Sequence, residues 1–185
     1  MADEKEQLVL IKPDETMLEQ IFAYRAAFLA AGDSMDGSGP LRQMENPLEW
    51  IAFSRRAEHR ETKPEHWVPS EQFVYWREPD RKIVGMIQFR HELNDFLRNY
   101  GGHIGYSVHP DERKKGYAKR MLGECLDLCK AFGLTSVLIT CLVGNEASRR
   151  TILSCGGIYE GTVYCARDDV QLQRYWINLT TSEGD

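Results

Sequence analysis

Apolar and polar positions along the chain change their spacing several times, and each change marks an element. Residues 7–12, QLVLIK, are an apolar run closed by Pro13, which predicts a strand after a mobile polar tail at 1–6; Asp14 then stands as a helix cap. Over residues 15–31, Met17, Leu18, Ile21, Phe22, Tyr24, Phe28 and Leu29 recur at steps of three and four and predict a packed helix. Residues 32–40, GDSMDGSGP, are turn formers and predict a loop suited to a mobile lid. A second helix is expected over 47–60, with Trp50, Ile51 and Phe53 apolar.

Two β-prone runs, 72–77 and 82–91, are joined by EPDR and predict a hairpin. After a polar connection comes Gly105, Tyr106, Ser107 and Val108, a short strand that Pro110 ends because proline gives no N–H to a ladder. Helical spacing resumes at Gly116: Ala118, Met121, Leu122, Cys125, Leu128, Cys129 and Phe132 share one face, and Gly133 is placed to cap it. The continuous apolar run at 137–143 predicts a strand covered on both faces, 146–155 a short helix, and 158–166 and 171–179 two final strands. This order of elements predicts an α/β chain with a mixed sheet.

The turn RKKGYA between the central strand and the central helix carries the strongest chemical signal. Gly116 lets the backbone come close to a ligand, and the first amides of a helix have no intrahelical partner. Such amides suit a phosphate, and Arg113, Lys114, Lys115 and Lys119 add full charges around them. A solvated basic turn is the plain alternative.

Composition narrows the setting. With 185 residues and a hydrophobic fraction of 42%, the chain is expected to fold as one domain. No apolar run approaches the roughly 20 residues that cross a bilayer, and the acidic N-terminus lacks a signal-peptide core, so a cytoplasmic protein without membrane partners is expected. The five cysteines lack CxxC spacing, and Cys125 and Cys129 fall on the apolar stripe of the central helix, so neither disulfides nor a metal pair is expected. His59, His66, His91 and His109 are scattered, and no metal site is predicted. The formal charge of −5 argues against a nucleic-acid partner and weakly favours a cationic acceptor.

The stretch VHPDERKKGYAKRML resembles the R/QxxGxG/A acyl-CoA motif of the GNAT superfamily of N-acetyltransferases, with Arg113, Gly116 and Ala118 at its defining positions. The resemblance extends over most of the chain and implies a single-domain GNAT-like α/β fold, with a mixed, mostly antiparallel sheet flanked by helices. It implies acetyl-CoA as the acyl donor, with the backbone amides of Lys114, Lys115, Gly116, Tyr117, Ala118 and Lys119 on its pyrophosphate. Oxyanion stabilisation falls to the strand at Ser107 and Val108, and contact with the pantetheine arm to Asn145 and Ser148. The implied acceptor is a small-molecule or peptide primary amine, lying against the first helix, loop and second helix and attacking in a ternary complex.

Two positions depart from the family's pattern. Many members carry a carboxylate base where Gly102 stands, and a tyrosine acid seven residues beyond the asparagine, where counting from Asn145 arrives at Ile152. His103 and Tyr106 are the nearest catalytic candidates, each also readable as structural. Cys141 is the cysteine to test for a covalent route. The alternative function is a non-catalytic acyl-CoA-binding module, and the C-terminal strands offer a route to a homodimer.

Overall fold

In the computed structural model, which describes residues 7–180, the chain builds two antiparallel sheets that meet at one point. The tail expected to be mobile lies outside the described residues. β1 (Leu8–Ile11), β2 (Ser70–Arg77), β3 (Lys82–Arg90) and β4 (Ile104–Val108) pair in that order. The second sheet orders β5 (Ser136–Leu142), β7 (Val170–Asn178) and β6 (Ile158–Cys165), so β7 is central and β6 is a free edge.

Alternating side chains of β2 serve two cores. Phe73 and Tyr75 join α3 (Tyr117–Phe132) through Tyr117, Met121, Leu122 and Cys125, together with Val137 and Ile139 of β5. Val74 and Trp76 join the opposite cluster with Ile21, Tyr24 and Phe28 of α1 (Leu18–Ala31) and Trp50 and Ile51 of α2 (Pro47–Ala57). A sheet covered on both faces has no polar face to alternate with, which is why β2 and β3 read as near-continuous apolar runs. Asp14, Asn46 and Asn145 cap the helical starts after them, the last being α4 (Glu146–Ser154).

Two expectations change. The loop at 32–40 is a packed wall: Met35 and Ser38 are buried, the Trp50 indole N–H donates to the Ser38 carbonyl at 2.7 Å, and Gln72 Nε2 donates to the Gly37 carbonyl at 2.8 Å. Its Gly37 lies so close to β4 that an added Cβ would sit 2.2 Å from the Gly105 oxygen. Turn-forming composition marks where a helix cannot continue, but anchors on α2 and β2 decide that the loop packs against the sheet. The connection before β4 holds a π-helical turn, Leu97–Gly101, which the polar sequence pattern did not reveal. Among the described residues no helix is long and apolar enough to cross a membrane.

Candidate functional site

Between β4 and α3 the chain makes a turn whose amides face open space. Lys114 and Gly116 take left-handed φ of 64° and 81°, Gly116 is the N-cap of α3, and no side chain caps that end. A Cβ on Gly116 would meet nothing within 4 Å. A sixteen-residue helix therefore presents its positive end, with orphan donors, to whatever enters there.

The cations of the turn are not equivalent. Lys115 is held by Glu112 at 2.7 Å; that buried carboxylate also takes a two-point contact from Arg77, at 2.8 and 3.1 Å, and Lys82 at 2.7 Å. Arg77 above all, against the cost of burial, holds the Glu112 carboxyl far below the usual range. Arg113 pairs with Asp33 at 2.6 Å and donates from Nε to the Val108 carbonyl at 3.3 Å. Among the described residues Lys114 and Lys119 make no ion pair. The Tyr117 side chain is buried with its hydroxyl 3.1 Å from Arg77, which leaves its backbone to face the turn.

β4 and β5 touch at His103 and then part. The His103 N–H donates to the Leu138 carbonyl at 2.7 Å, and His103 Nδ1 accepts the Leu138 N–H at 2.9 Å. Farther along, the gap is bridged by a side chain: the Tyr106 hydroxyl lies 2.9 Å from Ser148 Oγ on α4, whose own N–H is capped by Asn145 Oδ1 at 3.1 Å. Antiparallel pairing sends alternate residues toward the partner, and the bonds Arg90 N–H to His103 and His109 N–H to Val84 set the phase. By that phase Gly105 and Ser107 bond to β3, while the amides of Tyr106 and Val108 point into the wedge. Ser107 instead offers its side chain and carbonyl to the Tyr24 hydroxyl, both at 3.0 Å.

The geometry gives His103 a joint to hold. Its Nδ1 lone pair is engaged by Leu138, and burial, with Arg90 and Arg98 adding repulsion, pushes its pKa down to about 4. Gly102 has φ 67° and ψ −171°, and a Cβ there would lie 2.4 Å from the Leu138 oxygen, so no side chain fits. Ile152 is wholly buried in the core. Tyr106 keeps its proton, because burial raises its pKa, and burial likewise raises that of the Cys141 thiol.

Sequence reading missed Asp33, Arg77, Lys82 and Arg90, because each joins the site from a distant element, and Glu112, because its partners Arg77 and Lys82 do. An acidic residue immediately before the basic run was the available sign for Glu112.

An uncapped helix start beside basic side chains, at the mouth of a wedge between two strands, suits a group-transfer enzyme whose donor bears phosphate. The sequence pattern of the acetyltransferase (GNAT) family matches residues 42–156, and the chain belongs to that family. Among curated proteins none matches. Of solved structures, the microcin C7 self-immunity acetyltransferase MccE, in complex with acetyl-CoA and AMP, is similar with a TM-score of 0.68 at 17% identity, over 94% of this chain and 93% of that one. The spermidine N-acetyltransferase of Vibrio cholerae, in complex with CoA and spermine, is similar with a TM-score of 0.63 at 17% identity, over 94% of this chain and 96% of that one. At such identities the likeness concerns the fold.

Proposed function

We propose that the chain transfers an acetyl group from acetyl-CoA to a primary amine by direct attack in a ternary complex. The observation that carries this reading is a pair of donor sets without partners among the described residues: the first amides of α3 at the turn, and, by the phase of the β3–β4 ladder, the amides of Tyr106 and Val108 in the wedge. The first set, with the ammonium groups of Lys114 and Lys119, suits a pyrophosphate. The second suits the thioester oxygen as it gains negative charge.

Ser148, which meets the Tyr106 hydroxyl, and Asn145, which caps the Ser148 N–H, are the residues assigned to the pantetheine arm. When the amine forms its bond to the acetyl carbon and the C–S bond breaks, the departing sulfur needs a proton. Tyr106, protonated and bridging to Ser148, is the candidate to give it. No side-chain base is assigned: Gly102 has no room for one and His103 is engaged, so solvent takes the amine's proton.

Release of free CoA thiol from acetyl-CoA, measured over a panel of amines with a no-amine control, tests the reading. Amine-dependent release is expected. Silence across the panel, with acetyl-CoA still bound, would make the chain a non-catalytic acyl-CoA-binding module.

A further inference from the structure

Arg90 ends β3 and extends its side chain beneath the loop-facing side of β4. Nη1 donates to the carbonyls of Gly101 and Gly102, both at 3.1 Å. Nη2 lies 3.3 Å from where a Cβ on Gly105 would be, and the same point is 3.1 Å from the Gly37 nitrogen. The guanidinium is therefore set among the wall loop, β4 and the hinge of the wedge.

Nε and Nη2 form the edge of a guanidinium that grips a carboxylate through two parallel bonds. Among the described residues this edge has no acceptor: Arg90 makes no other hydrogen bond and no ion pair within 4.0 Å, and neither nitrogen is sealed from solvent. Asp36 is the carboxylate whose field reaches it, while burial pushes the guanidinium down to about 10. Arg90 and Arg98 both repel a proton at His103, so the field at the hinge is positive although the whole chain carries −5.

We propose that Arg90 is a specificity-determining residue that binds a carboxylate on the acceptor, so that the substrate is an amino acid or similar primary amine bearing an anionic group, not a polyamine. The proposal rests on the N-acetyl transfer proposed above. A carboxylate completes the side-on fork, whereas a second ammonium at the same place would meet a like charge.

The test uses matched amines that differ only in the carboxylate: lysine against cadaverine, ornithine against putrescine, tyrosine against tyramine, with spermidine added. CoA release is followed for the intact chain, Arg90→Gln and Arg90→Lys. The expected result is at least a tenfold higher kcat/KM for the carboxylate-bearing member of a productive pair. Arg90→Gln should collapse that ratio through KM, and Arg90→Lys, with charge but no fork, should restore part of it. Preference for the decarboxylated amines, or a ratio that Arg90→Gln leaves intact, overturns the proposal while N-acetyl transfer stands. No turnover of any amine by a protein that binds acetyl-CoA overturns both. Circular dichroism and acetyl-CoA affinity of each variant separate a lost contact from a lost fold.

Discussion

His103 and Leu138 exchange two hydrogen bonds, one from backbone to backbone and one from the Leu138 N–H to the imidazole Nδ1. A side chain thus takes the place of the carbonyl that a regular ladder would offer, at the point where the two sheets part. The bond requires a neutral ring, and the folded pKa of about 4 follows from that burial.

The pH dependence has a definite sign. In the unfolded chain a histidine titrates near roughly 6.5, so between that value and 4 the unfolded state binds more protons than the folded one. Stability from this group is complete above the unfolded pKa and is lost as pH falls through the window. Denaturation midpoints measured from pH 7 to pH 4 should decline, and less so in His103→Asn, whose side-chain oxygen can accept the same N–H without titrating. His103→Ala should cost about 1–3 kcal/mol by orphaning a buried N–H. His103→Asn should keep most of its kcat; a loss of a hundredfold or more would restore the base role to His103.

Glu112 ties the turn to the β2–β3 hairpin through Arg77 and Lys82. Glu112→Gln leaves three cations facing one another, and breaking a buried pair of this kind costs about 3–5 kcal/mol, to be read from urea unfolding. Lys115→Met should change acetyl-CoA affinity less than twofold, because the lysine is already occupied. Calorimetry that showed a tenfold loss would place Lys115 on the phosphate after all.

Tyr106→Phe removes the one hydroxyl that crosses from β4 to Ser148. The expected outcome is a fall in kcat of about a hundredfold, in the range of lost acid catalysis, with acetyl-CoA affinity nearly unchanged. Equal kcat in both proteins would show that the departing thiolate takes its proton elsewhere.

Gly116→Val places a β-branched residue at a φ of 81° and aims its methyl groups into the space before the α3 amides. An added Cβ there meets nothing within 4 Å beyond its chain neighbours, so the damage should appear as weakened acetyl-CoA binding beyond the backbone strain of about 1–3 kcal/mol. Calorimetry showing unchanged affinity would remove this turn from the site.

The order of elements and the left-handed turn before α3 were readable in the chain because both rest on local physics. Spacing of Met121, Leu122, Cys125 and Cys129 shows a helix face, Pro110 ends a strand, and Gly116 permits a left-handed cap; each depends on neighbours within a few residues. What the basic residues do was not readable there. Arg113, Lys114, Lys115 and Lys119 look alike in sequence, and only the approach of Asp33 from the end of α1, and the burial of Glu112 among Arg77 and Lys82, divide them into held and open charges.

The same division runs through the wedge. The strand at Tyr106 and its β-prone neighbours were local facts, but the parting of β4 from β5 is decided by Gly102, which admits the Leu138 carbonyl, and by His103, which closes the joint. Sequence alone determined that a basic, glycine-bearing turn and a helix start follow a short strand. Tertiary structure decided which amides stay without partners and where the fork of Arg90 points, because hydrogen bonds and buried charges between distant segments exist only once those segments have packed.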